Sequence, residues 1–133
     1  MARTDTFQCS VITPERAVLE TDATFVAFPA HDGEVGILRD RAPLLFKMGI
    51  GVLRVETPEA KHKFFVDGGF AQMVDNRLTL LTEQAMPAEE IDRAAAERAL
   101  AEAHALPMVT DAEFAAHQKA MQRAETQIKL TEK

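Results

Sequence analysis

Two hydrophobic periodicities divide this chain. From Phe7 to Thr82 apolar residues come in short runs with a period near two, and beyond Pro87 they recur at spacings of three and four. The first pattern predicts strands at Phe7–Ile12, Ala23–Phe28, Gly36–Leu38, Leu44–Lys47, Val52–Glu56, His62–Asp67, Phe70–Val74 and Leu78–Thr82. Alternation is clearest where Leu53 and Val55 oppose Val52 and Arg54, where Phe64 joins Val66, and where Leu78 joins Leu80. Asp75-Asn76 is a hairpin-turn signal because Asn tolerates the left-handed conformation, and Thr57-Pro58-Glu59 is a second turn. The connections are too short for crossover helices, so the pairing is expected to be mainly antiparallel.

The second pattern predicts two helices. Pro87 suits a first turn, and Glu89, Glu90 and Asp92 favour a helix N-terminus. That helix is expected to reach Ala105 and to stop at Leu106-Pro107. Thr110-Asp-Ala-Glu113 has the form of a capping box, opening a second helix to near Leu130. Its apolar stripe would be Phe114, His117, Met121, Ala124 and Ile128, facing a seam of Ala95, Ala99 and Ala103. The expected fold is β plus α: a mainly antiparallel β-sandwich over residues 1–85, then an antiparallel two-helix hairpin over 86–133. So narrow an apolar stripe predicts a loosely held hairpin.

Composition changes this picture little. All six glycines and all but one of the eight phenylalanines precede residue 85. Charge does not make the division: residues 1–84 carry 9 Lys/Arg and 12 Asp/Glu and residues 85–133 carry 6 and 9, which is −3 for each part. A net charge of −6 argues against a nucleic-acid partner. Cys9 is the lone cysteine, so no intrachain disulfide is possible, and its alternating apolar setting marks it as a packing residue. The N-terminal residues carry no apolar signal region, and no apolar run approaches the roughly 20 residues of a membrane span, so direct membrane insertion is not expected.

No catalytic constellation emerges. His31, His62, His104 and His117 are scattered without metal-ligand spacing, and no metal or cofactor is expected. Gly33-Glu-Val-Gly36 lacks the Lys-Ser/Thr end of a phosphate loop, and Gly68-Gly69 reads as a bulge or tight link. Ser10 is the sole serine and falls within a predicted strand. The stretch His31–Leu45 instead places Glu34, Arg39, Asp40 and Arg41 on turning backbone, between two glycines and Pro43. That arrangement suits docking rather than chemistry.

Three segments carry a resemblance. They are Val11-Ile-Thr-Pro-Glu-Arg16; Gly33-Glu-Val-Gly-Ile-Leu38 with Ala42-Pro-Leu-Leu45; and Phe65-Val66-x-Gly68-Gly69-Phe70, followed by Val74-x-Asn76-x-Leu78-Thr79-x-Leu81-x-Glu83-x-Ala85. In order and spacing the chain resembles the epsilon subunit of F-type ATP synthase. The resemblance implies a sandwich of about ten strands and a helical hairpin. It implies a non-catalytic central-stalk subunit that binds the gamma subunit and the c-ring, couples ion-driven rotation to ATP synthesis, and sits peripherally on the cytoplasmic face of a bacterial inner membrane. Glu34, Arg39, Asp40 and Arg41 would be the docking residues, with Glu34 in the place of the family's carboxylate.

Two departures accompany it. The family usually has His immediately before Ala-Pro-Leu, and here that residue is Arg41, a permanently charged donor with no titration near neutral pH. Some relatives bind ATP through Ile/Leu-Asp-x-x-Arg-Ala, whereas this chain reads Ile91-Asp92-Arg93-Ala94-Ala95-Ala96. Arg93 is displaced by about 200° around the helix. Ile91, Asp92 and Arg123 remain as ATP-binding candidates for an alternative role as an ATP sensor, with Gln127 one turn beyond Arg123. Lys119, Arg123 and Lys129 are the candidates for an inhibitory contact with the alpha/beta catalytic head.

Overall fold

The computed structural model describes residues 5–30 and 33–132, so His31 and Asp32 of the expected docking stretch lie outside the described residues. Eight strands are β1 (Phe7–Ile12), β2 (Ala17–Ala23), β3 (Phe25–Ala30), β4 (Gly33–Ile37), β5 (Leu44–Glu56), β6 (Lys61–Val74), β7 (Arg77–Leu81) and β8 (Ala85–Pro87). Their order is β2-β1-β7-β6-β5-β3-β4, with β8 added to β6. All pairs are antiparallel except β1 with β7.

The long strands β5 and β6 make this one path into two layers. The start of β5 and the end of β6 lie beside β7, while the end of β5 and the start of β6 lie between β3 and β8. The bend falls at Gly68 and Gly69, whose φ values of 72° and 106° few other residues adopt. The core closes between the layers, with Phe7, Cys9, Leu78 and Leu80 from one side and Val26, Phe28, Ile37 and Leu53 from the other. The expected faces are observed: Leu53, Val55, Phe64, Val66, Leu78 and Leu80 all enter this core.

The resemblance implied about ten strands; among the described residues there are eight, because the glycines bend strands instead of ending them. The separate strands expected at 44–47 and 52–56 are one, as are those at 62–67 and 70–74. β2 lacked a sequence signal because Glu20, Thr21 and Asp22 dilute its alternation at a sheet edge. Its end was merged with β3, from which Thr24 separates it by donating to the Glu56 carbonyl from both N–H and hydroxyl, at 2.7 and 3.1 Å. Leu38 falls outside β4 and is exposed. β8 carries the sheet past residue 85, its Met86 and Pro87 pairing with Phe65 and Phe64.

After β8 comes one 3-10 turn (Ala88–Glu90), then α1 (Arg93–His104) and α2 (Asp111–Thr131). The first helix starts later than expected because Pro87 and Ile91 are extended, and it is Asp92 that accepts from the N–H groups of Ala94 and Ala95. α2 starts as predicted, with both capping-box bonds of Thr110 and Glu113 formed at 3.0 Å. Ala96 and Ala103 are the buried alanines of α1 and Ala124 is that of α2; Ala95 and Ala99 are exposed. Phe114, expected on the seam, is also exposed. His117 Nδ1 lies 3.2 Å from the Leu106 carbonyl oxygen at the end of the hairpin.

Candidate functional site

The four expected docking residues fall on two surfaces. Glu34 lies in β4 opposite Pro29, on the outer side of its layer. Its carboxylate accepts from Arg54 Nη2 at 2.9 Å. The Arg54 guanidinium also stands 5.7 Å from the centre of the Phe25 ring, so Arg54 spans β3 to hold Glu34. Gly36 leaves room for that ring: a Cβ there would lie 3.0 Å from it.

Arg39, Asp40 and Arg41 occupy the β4–β5 connection, and no ion pair joins them to Glu34 among the described residues. Two reciprocal hydrogen bonds fix this loop. Asp40 N–H donates to Asn76 Oδ1 at 2.7 Å, and Asn76 Nδ2 donates to Asp40 Oδ1 at 3.0 Å. Both residues, and Asp75, have positive φ. The Asn76 carbonyl also accepts from Gln8 N–H at 2.9 Å. Asn76 therefore ties the loop, the β6–β7 turn and β1 together. Arg39 pairs with Asp40 at 3.3 Å, whereas the exposed Arg41 has no ion pair among the described residues. The turn signal at Asp75-Asn76 was legible in sequence, but nothing there marked Asn76 as the anchor of residue 40.

Beside this end of the molecule is an apolar outer face that sequence reading passed over. Lys47, Phe70, Leu81 and Ile12 are successive cross-strand partners, so their side chains share one face. Phe70 and Leu81 are 51% and 48% exposed, and Leu45 and Val74 of the flanking rows are exposed too. The signal was parity: these residues alternate with the buried Ala71, Met73 and Leu80.

The helical candidates separate as well. Lys119 and Arg123 stand one turn apart and line a groove of about 580 Å³ between α2 and the bends of β5 and β6. Arg123 Nε donates to Asp67 Oδ2 at 2.8 Å, and Gln122 Nε2 donates to the Ile50 carbonyl at 3.0 Å. Lys129 lies apart from that groove, on the face of α2 that carries His117, Met121 and Glu125. Of the ATP-binding candidates, Asp92 caps α1, Arg123 holds Asp67, and Ile91 donates its N–H to Ala88. No bond joins these three to one another. Cys9 is fully buried, and loss of hydration pushes its thiol up to about 12, which leaves no thiolate for chemistry. No cluster of metal-ligating side chains occurs, and no helix is long and apolar enough to cross a membrane, among the described residues.

The sequence and the fold match known proteins. Residues 6–88 match the beta-sandwich domain of the ATP synthase delta/epsilon chain. The chain is 41% identical over 124 residues to the ATP synthase epsilon chain of Rhodopirellula baltica, covering 93% of this chain and 97% of that one. It is 30% identical over 129 residues to the sodium-ion-specific epsilon chain of Propionigenium modestum, covering 96% and 94%. A chain of the Euglena gracilis mitochondrial ATP synthase superimposes with a TM-score of 0.83 at 23% identity, over 95% of this chain and 81% of that one. One from the Tetrahymena thermophila mitochondrial enzyme gives 0.75 at 15% identity, over 94% and 96%. This chain belongs to the epsilon-chain family of ATP synthase, a family of non-catalytic subunits.

Proposed function

We propose that the chain is a rotor subunit of the central stalk, fastened to a gamma subunit and to the c-ring, which passes ion-driven rotation to the catalytic head. Residues 1–85 serve as the docking unit and 86–133 as a regulatory one, on the cytoplasmic face of a bacterial inner membrane. The observation that carries this reading is the pinned loop. A surface that transmits torque must not yield, and the double bond between Asp40 and Asn76 holds residues 39–41 firm while leaving the Arg41 guanidinium open to a partner. Polar loops of a c-ring offer the carbonyls and carboxylates that a guanidinium engages. The neighbouring Phe70–Leu81 face offers the apolar contact that a gamma subunit would cover. Two structurally similar chains come from assemblies described as OSCP/F1/c-ring and central stalk/c-ring, which supports the same reading.

Inhibition of ATP hydrolysis is assigned to Lys119 and Arg123, which share one face of α2, with Lys129 as a separate contact. Truncation after Glu90 keeps β8 and removes both helices, and unchanged ATP hydrolysis by the reconstituted complex would remove this assignment. The docking reading is tested by capture of the cognate gamma subunit and c-ring on the immobilised full chain. Arg41→Ala is expected to weaken c-ring capture and leave gamma capture intact. Equal capture of the ring by the variant and the native chain would overturn the role of Arg41, and failure of the native chain to capture gamma would overturn the rotor reading.

A further inference from the structure

The helical pair is attached to the sandwich without entering its core. The core between the two layers contains no helix residue. Ile91 and Asp92 form an extended link, and the residues buried within α1 and α2 are three alanines. One large side chain, Phe65, is fully buried without belonging to that core; it lies on the face of β6 where α2 and the 3-10 turn pack. Apolar contact of this kind gives adhesion but little direction. Direction comes from two polar bonds, Arg123 to Asp67 and Gln122 to the Ile50 carbonyl.

Charge in the groove is lopsided. Lys47, Lys119 and Arg123 line it, and Asp67 is its one carboxylate among the described residues. Neither Lys47 nor Lys119 has an ion pair among the described residues. Asp67 is itself held at the β6 bend, its N–H donating to the Gln84 carbonyl at 3.2 Å. We infer that Asp67, gripped by Arg123, is a charge latch that keeps the helical pair on the sandwich. Without that carboxylate three cations face one another across the groove, and α2 is repelled. While the latch is closed Arg123 is spent on Asp67, and opening it releases Lys119 and Arg123 together for an acidic partner. The inference extends the regulatory reading of residues 86–133 and does not depend on what the chain binds.

Native-state hydrogen exchange of the isolated full chain tests it, because exchange of the α2 amides rises in proportion to the released population. Asp67→Asn is expected to speed α2 exchange about tenfold. Arg123→Gln, which removes the bond but also one of the cations, should speed it about threefold. The β5–β7 amides should exchange as in the native chain. Salt gives a sign that loss of packing would not. Raising NaCl to about 1 M screens attraction in the native chain and speeds α2 exchange, but screens repulsion in Asp67→Asn and slows it. The same salt trend in both proteins, or α2 exchange unchanged in both variants, would overturn the latch. If Asp67→Asn disturbs the sheet amides, Arg123→Gln and the native salt response decide the matter. Either failure leaves the rotor reading intact, since that rests on capture of gamma and the c-ring.

Discussion

Gly69→Ala probes the bend on which the two-layer architecture depends. Two penalties act together there. At φ 106° an alanine is strained by about 1–3 kcal/mol. Its Cβ would also overlap the Leu81 carbonyl oxygen and lie 2.7 Å from Thr82 Cα and 2.8 Å from the Leu81 carbonyl carbon. Carbon atoms rest at about 3.5–4.0 Å, so β7 must shift by on the order of 1 Å. These neighbours are backbone held by the ladder, with Phe70 paired to Leu81 and Thr82 N–H bonded to the Ile12 carbonyl at 3.0 Å. Relieving such overpacking costs a further ~1–3 kcal/mol or more. The reduced freedom of the unfolded chain returns only about 0.4–1 kcal/mol. At the middle of these ranges the expected loss is about 3 kcal/mol, a large part of the roughly 5–15 kcal/mol that holds a domain. With no Trp or Tyr in the chain, unfolding is followed by far-UV circular dichroism, where Tm should fall by about 10–20 °C. Two controls divide the effect. Gly33→Ala has φ 131° but nothing within 4 Å among the described residues, and should show the conformational penalty alone. Gly49→Ala meets ordinary contact at 3.6 Å without that strain, and should be near neutral. A Gly69→Ala loss below about 1 kcal/mol, or one matched by Gly33→Ala, would refute the account.

Two further expectations concern Cys9 and Asn76. Cys9 should resist thiol reagents in the native chain and react once the chain is unfolded in urea; prompt native labelling would contradict its burial. Its thiol titrates near 12 when folded and near 9.0 when unfolded, so the unfolded chain loses its proton first. The contribution of Cys9 to stability should therefore be constant below about pH 9 and fall by up to about 1.4 kcal/mol per pH unit between 9 and 12, a fall that Cys9→Ala should lack. Asn76→Gly keeps the positive φ but removes both bonds to Asp40. It should cost about 1–2 kcal/mol and speed exchange of the Asp40 amide, whereas protection as strong as in the native chain would show that the loop is held by other means.

Much of this protein was settled along the chain itself. Strand β1, the Asp75-Asn76 turn, the inward faces of Leu53, Phe64 and Leu80 and the Thr110 capping box depend on neighbours within a few residues, where periodicity and capping chemistry act. The non-catalytic character of the family was also readable, because Ser10 and Cys9 fall within a strand pattern and the four histidines are scattered. What tertiary structure alone decided involves partners distant in sequence. Gly68-Gly69 bends a strand instead of ending it because β5 continues opposite it. Phe65 is buried on the face away from the core because the helical elements pack there. Asp40 is anchored by Asn76, 36 residues away, and Asp67 by Arg123, 56 residues away. Glu34 and Arg41, close in sequence, were separated by the strand end between them. Local pattern fixes which face a side chain takes, but only the packed chain fixes which side chain it meets.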